Sequence, residues 1–143
     1  MPFKVAIRAD GNSEIGFGHI IRTQTLAGQL IKRGAEVIFL TRNPENAAGY
    51  ASGLIPVDIS LAEEDEFIAS YLASSPQDML IIDNYAYDQE RLDRAGQLEL
   101  RTVYIDDMNL YEFNVDFVVN GNLYAPRLDY RGKAHLYWAV NIY

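Results

Sequence analysis

The chain contains no cysteine, only two histidines and a single tryptophan among its 143 residues. Without thiols there is no disulfide framework and no thiolate chemistry, and the composition suits a reducing compartment, so a cytoplasmic protein is expected. Positive charge is also scarce: 12 Lys and Arg stand against 20 Asp and Glu, for a formal net charge of -8. Nucleic acid and anionic membrane surfaces are repelled at long range by such a chain, and neither is expected as a general partner, although a local anion site is compatible with it. No apolar run approaches the roughly twenty residues of a membrane span. Met1-Pro2-Phe3-Lys4 leads straight into a strand-like run of about five residues, shorter than a signal h-region of about seven to fifteen, so no export is expected. What remains is a globular mixture, 49% hydrophobic and 22% charged, at a length that fits one domain.

Short apolar runs alternate with helical periodicity along the chain. Phe3-Lys4-Val5-Ala6-Ile7 reads as a first strand, and a helix is expected from about His19 to Arg33. Ile20, Thr23, Ala27, Leu30 and Ile31 share one face of that helix, Arg22, Gln29, Lys32 and Arg33 another, and Gly34 follows as a stop. Glu36-Val37-Ile38-Phe39-Leu40 is a second strand. Pro44 and the alanine-rich stretch 45–51 suggest a short helix, and Ile55-Pro56-Val57-Asp58-Ile59 a third strand whose proline suits a sheet edge. Ser60-Leu61-Ala62-Glu63 has capping-box spacing ahead of an apolar stripe at Phe67, Ile68, Tyr71 and Leu72. Met79-Leu80-Ile81-Ile82 is the continuous run expected of a central parallel strand covered on both faces. Asp88 can cap a helix through about Gln97; Thr102-Val103-Tyr104-Ile105 is a fifth strand ending in Asp106-Asp107, and Val115-Asp116-Phe117-Val118-Val119 a sixth ending in Asn120. This alternation predicts an α/β, doubly wound parallel sheet of Rossmann-like type, ordered 3-2-1-4-5 with the sixth strand beyond. Residues 1–134 form the predicted domain. The apolar stretch 135–143 has no terminating signal and reads as the start of a linker or a truncated continuation.

In such sheets ligands lie outside the C-terminal strand ends where the strand order reverses, here between the first and fourth strands. The loop Arg8-Ala9-Asp10-Gly11-Asn12-Ser13-Glu14-Ile15-Gly16-Phe17-Gly18-His19 enters the helix at that point. Gly16 and Gly18 allow conformations and close approaches that a Cβ obstructs, the helix N-terminus offers free N–H groups, and His19 can exchange a proton near neutral pH. A dinucleotide site competes for this loop, since Gly16-Phe17-Gly18-His19-Ile20-Ile21 begins like G-x-G-x-x-G. It then fails: Ile21 replaces the third glycine, the loop is long, and the second strand ends in Leu40-Thr41-Arg42 rather than an acid. A Walker A loop is missing its Lys-Ser/Thr. Taken alone, His19 reads equally as a helix-start histidine bonding backbone or solvent and as a ligand-facing base. Asp83, Asp106 and Asp107 read first as caps and turn formers, and their shared sheet edge raises them to site candidates. Their spacing with His19 matches no metal-ligand motif, and neither a metal nor a cofactor is expected. Tyr85 and Tyr124 are packing or rim aromatics unless a sugar or uracil lies beside them, and His135 reads as a surface residue.

Several segments together carry a family resemblance: Arg8-Ala9-Asp10, Ile15-Gly16-Phe17-Gly18-His19-Ile20-Ile21-Arg22, Asp83-Asn84-Tyr85, Ile105-Asp106-Asp107, Val119-Asn120-Gly121-Asn122-Leu123-Tyr124-Ala125 and Asp129-Tyr130-Arg131-Gly132. Over roughly residues 3–132 the chain resembles the N-terminal half of the UDP-sugar hydrolases of the pseudaminic acid pathway and the related spore coat polysaccharide biosynthesis proteins. These in turn are similar to GT-B glycosyltransferases. The resemblance implies that His19 activates a water that attacks the anomeric carbon as UDP departs. It also implies that Gly16, Phe17 and Gly18 approach the substrate, that Tyr85 borders the sugar, and that Asp83, Asp106 or Asn120 orient hydroxyl and acetamido groups. In that family a second, C-terminal nucleotide-binding domain carries most contacts to uridine diphosphate, and the stretch 135–143 departs from the usual linker. An isolated half is therefore expected to be inactive until that partner is supplied in cis or in trans. The alternatives are a GT-B glycosyltransferase domain, in which an acceptor hydroxyl replaces water, and a non-catalytic nucleotide-sugar binding module.

Overall fold

The computed structural model describes residues 3–48, 55–60, 63–72 and 75–138. Strands and helices follow one another as β1 (Lys4–Ala9), α1 (Gly18–Lys32), β2 (Glu36–Thr41), α2 (Pro44–Ala48), β3 (Ile55–Asp58), α3 (Glu64–Tyr71), β4 (Met79–Asp83), α4 (Gln89–Gln97), β5 (Arg101–Ile105), β6 (Phe117–Asn120) and β7 (His135–Trp138). They build a parallel sheet in the order β3-β2-β1-β4-β5-β6-β7. The α/β class and the reversal of order between β1 and β4 agree with the reading of the sequence, and the strand carrying Pro56 lies at an edge. Among the described residues no helix is long and apolar enough to cross a membrane.

Two apolar layers follow from the period-2 alternation of side chains along strands. Val5, Ile7, Ala9, Val37 and Phe39 pack with Ile20 and Ala27 of α1. Ala6, Ile38, Leu40, Leu80 and Ile82 pack on the other face with Ile68 of α3 and Leu92 and Ala95 of α4. Because β1, β2 and β4 are buried on both sides, their sequence reads as near-continuous apolar runs.

Three expectations are corrected. The sixth strand begins at Phe117, not Val115, because Val115 dives into the α3–α4 layer. Asp116 beside it pairs with β5 instead, its carboxylate accepting the Thr102 N–H at 2.8 Å and its N–H donating to the Thr102 carbonyl at 3.1 Å. Glu63, not Ser60, occupies the N-cap of α3: Ser60 Oγ donates to Glu63 Oε2 at 2.8 Å, while the helix starts at Glu64, which is wholly buried on a cation. A seventh strand, beyond the six expected, forms at residues 135–138, in the stretch read as the start of a linker or a truncated continuation, with the Phe117 ring between His135 and Tyr137 at 5.9 and 5.8 Å. His135 itself is exposed, as anticipated. Residues 49–51 of the expected short helix, Leu61 and Ala62 of the capping box, and residues 139–143 lie outside the described residues.

Gly132 fixes the approach to β7. Its φ is +106°, and a Cβ there would stand 2.3 Å from the Phe113 carbonyl oxygen and 2.5 Å from the Phe113 nitrogen. Gly132→Ala is expected to destabilise the fold by about 3 kcal/mol, from the left-handed backbone plus the clash. Gly16→Ala, also at positive φ but with open space around it, should cost only about 1 kcal/mol. Urea denaturation of the two variants checks the difference.

Candidate active site

The β1-to-α1 loop is shaped by its own side chains. Asn12 Oδ1 accepts the backbone N–H groups of Glu14 and Ile15 at 2.9 and 3.0 Å, and the Gly16 N–H returns to the Asn12 carbonyl at 2.8 Å. Gly16 sits at φ +82°, a conformation glycine adopts without steric cost. Gly18 lies outside the positive-φ region, and no atom stands within 4 Å of the place a Cβ would take there. Phe17, partly buried, is the N-cap of α1 and accepts the Ile21 N–H at 2.9 Å.

In the first turn of α1, His19 is 7% exposed and its Nδ1 lies 2.5 Å from Asp83 Oδ1 at the end of β4. A carboxylate only accepts, so the neutral imidazole carries its proton on Nδ1 and leaves the Nε2 lone pair free. No described residue hydrogen-bonds Nε2. The ring of Tyr85, itself largely exposed, stands edge-on against the imidazole at 4.3 Å. His19, Asp83 and Tyr85 are therefore brought together, and His19 and Tyr85 line one open hollow with Ile15, Gly18, Arg22 and Asp107.

Arg22 escaped the reading of the sequence as a site residue, and it joins Asp107, a strand-end candidate there, in this group. Arg22 forks onto Asp83, Nε to Oδ2 and Nη2 to Oδ1, and also spans both Asp107 oxygens at 3.2 Å. The two carboxylates and their hydrogen bonds raise the Arg22 pKa. Burial pushes the Asp107 carboxyl up, and the Arg22 guanidinium, helped by donors from Tyr85 and Asn122, outweighs this and holds it below the usual carboxylate range. The signal for Arg22 was its position three residues after His19, on the same helix face. Asp106 and Asn120 are also buried at strand ends, but they are tied to a neighbouring network. Tyr130 donates to Asp106 and accepts from Asn120 Nδ2 at 2.8 Å, and the Asn109 N–H donates to Asp106 Oδ2 at 2.8 Å. Among the described residues no group of three or more His, Cys, Asp or Glu could hold a metal ion.

Behind the site, Asp10 accepts from Arg8 Nη1 (2.7 Å), the Arg42 N–H (2.8 Å), Thr41 Oγ1 (3.1 Å) and Asn84 Nδ2 (2.9 Å). Burial raises its pKa, but the Arg8 hydrogen bond and charge prevail and lower it to about 2. The folded value lies below the unfolded one of 3.8, so this stabilisation is complete above about pH 4 and is lost as pH falls through about 2. By pH 3 the linkage is expected to remove about 1 kcal/mol of stability. Urea melts from pH 6 to pH 3 should show that slope, flattened in Asp10→Asn.

No protein-family model matches the chain, and no solved structure matches it significantly. Among curated proteins, it is 31% identical over 133 residues to the UDP-2,4-diacetamido-2,4,6-trideoxy-beta-L-altropyranose hydrolase of Campylobacter jejuni, a match covering 90% of this chain and 45% of that protein. It is 27% identical over 107 residues to an uncharacterised protein of Methanocaldococcus jannaschii, covering 74% of this chain and 22% of that protein. The chain thus spans less than half the length of the curated relatives it matches.

Proposed function

We propose that this chain is the N-terminal, GT-B-like domain of a nucleotide-sugar hydrolase. Its parent protein would release UDP from a UDP-diacetamido-trideoxy sugar by water attack at the anomeric carbon, in bacterial surface-polysaccharide or nonulosonic acid synthesis. The observation that carries the reading is the His19–Asp83 hydrogen bond at the mouth of the β1-to-α1 turn. Similarity over 90% of the chain to a hydrolase of such a sugar supports it.

In this reading Nε2 of His19 takes a proton from water while the water oxygen bonds to the anomeric carbon. The carbon–oxygen bond to the diphosphate breaks, and its electron pair leaves with UDP. Asp83 holds the ring in the required tautomer and stabilises the imidazolium. The first-turn N–H groups of α1 lie at the positive end of the helix dipole, where charge builds on the leaving group. Gly16 and Gly18 give the sugar close access to backbone, Tyr85 borders it, and a C-terminal domain supplies the uridine-diphosphate contacts. No metal or cofactor has a role.

Incubating the full-length protein with the UDP-sugar in ¹⁸O-water, without any acceptor, tests the reading. UDP should be released with ¹⁸O in the sugar's anomeric hydroxyl, and His19→Ala should slow release about a thousandfold or more. Release that required an added hydroxyl acceptor would make the protein a transferase, and binding without release would make it a carrier module.

A further inference from the structure

Asp107 closes a ring of contacts around the His19 hollow. From His19 Nδ1 the ring runs 2.5 Å to Asp83 and on to Arg22, whose Nε and Nη2 fork onto the two Asp83 oxygens. Arg22 then reaches Asp107, Nη1 and Nη2 donating to its two oxygens at 3.2 Å. Asp107 Oδ2 accepts the Tyr85 hydroxyl at 2.9 Å, and the Tyr85 ring returns to the imidazole at 4.3 Å with the ring planes 84° apart. Tyr85 is 58% exposed, so burial does little to order its ring, and the bond from its hydroxyl to Asp107 opposes the rotamer freedom it would otherwise have. Asp107 is anchored in turn by the chain after β6: Asn122 Nδ2 donates to Oδ1 at 3.1 Å, and the Tyr124 hydroxyl to the Asp107 backbone carbonyl at 2.8 Å.

We infer that Asp107 is a positioning residue for the imidazole, acting on it by two routes: through Arg22 and Asp83 at Nδ1, and through Tyr85 on the ring. A carboxylate suits this place because it only accepts and carries several lone pairs, enough to take the planar fork of a guanidinium and still receive a phenol. Arg22 and Tyr85 meet on the same oxygen, Oδ2, so the two routes share one anchor. An imidazole held on its nitrogen and on its ring keeps Nε2 aimed at one point in the hollow, which is the orientation that proton transfer from an attacking water requires. The inference rests on the nucleotide-sugar hydrolase reading, in which His19 is the base, and extends it to a residue that acts on the base only through others.

Two variants of the full-length protein test it, each read by steady-state turnover and by the ring-proton NMR resonances of His19, assigned through their loss in His19→Ala. Tyr85→Phe keeps the aromatic ring and cuts only the tether. Asp107→Ala removes the tether together with the second carboxylate on Arg22. In both unliganded variants the His19 resonances should be displaced, because an untethered ring leaves the imidazole, whereas a phenyl still held there would shift them nearly as the phenol does. Turnover should fall about tenfold in Tyr85→Phe and about a hundredfold in Asp107→Ala, in kcat at near-constant KM. The double variant should be no slower than Asp107→Ala alone, since the phenol has no tether left to lose. Tyr85→Phe lies at an exposed position and decides the matter by its resonances even where Asp107→Ala fails to fold. Unmoved His19 resonances in Tyr85→Phe, or losses in kcat that multiply in the double variant, overturn the inference and leave the functional reading standing. Turnover that His19→Ala does not slow overturns the functional reading and the inference with it.

Discussion

Replacing Asp83 with Asn is expected to lower turnover by the full-length protein about ten-thousandfold, with substrate affinity nearly unchanged. The argument turns on Arg22. Its guanidinium occupies both oxygens of Asp83, and it cannot accept a hydrogen bond. An asparagine has one acceptor oxygen, for which Arg22 Nε, Arg22 Nη2 and His19 Nδ1 compete, and where that oxygen stays on Nε the amide nitrogen faces His19. A donor facing Nδ1 forces the imidazole proton to Nε2, the atom that must be bare to deprotonate water. The volume at residue 83 hardly changes, so folding and binding should survive while the base is lost. Steady-state kinetics on folded protein measure the effect as a fall in kcat at near-constant KM. A loss below about tenfold would show that the orientation of His19 by Asp83 does not matter to the chemistry.

The same geometry predicts a smaller effect from Arg22 itself. Arg22→Lys retains the charge beside Asp83 and Asp107 but not the planar fork that spans both oxygens of each. Turnover should fall between that of the unaltered protein and that of Asp83→Asn.

How much of this was legible in the sequence depends on the kind of interaction. The parallel sheet followed from the strand–helix alternation and from uninterrupted apolar runs such as residues 79–82, which suit a strand buried on both faces, and the strand order by analogy with doubly wound sheets. The meeting of His19 with Asp83 and Tyr85 followed in turn, because parallel topology puts the end of β4 beside the start of α1. β7 was illegible because no helix precedes it: the chain from β6 returns through an irregular stretch with one short 3-10 turn at Ala125–Arg127. Without a crossover helix the alternation that marked the earlier strands is absent. Arg8 gave least away. It stands near the end of β1, just ahead of the β1-to-α1 loop, yet it is fully buried and reaches Glu64, 56 positions further along the chain. Hydrophobic periodicity carries no information about such a pair, because its members are placed by two elements whose contact only the finished sheet creates.

That pair carries the largest stability prediction. Glu64 is fully buried at the start of α3, where it accepts from Arg8 Nε at 2.8 Å, from Arg91 and from the Tyr87 hydroxyl. Burial and the Glu64 charge both raise the Tyr87 pKa, so the phenol stays a donor. Glu64→Ala strips one arginine of its axial partner and leaves Arg91 and a buried tyrosine hydroxyl without their acceptor. Removing one partner of a buried ion pair costs about 3–5 kcal/mol, a large share of the roughly 5–15 kcal/mol that holds a domain folded, and the Asp10 carboxylate that Arg8 keeps places the loss toward the lower end. Arg8→Met combined with Glu64→Leu removes the two charges that face each other and should cost less than the two single changes added together, because neither member of that pair is left buried alone, while Asp10 and Arg91 each lose one partner. Equilibrium unfolding in urea measures this as midpoint shifts at constant slope. Equal additivity would mean that the two side chains contribute independently. The consequence reaches the site as well: Arg8 also holds Asp10, Asp10 holds Asn84, and Asn84 follows Asp83 in the chain. A protein that has lost the Arg8–Glu64 pair but still folds should therefore show reduced turnover, through a carboxylate whose own contacts were never touched.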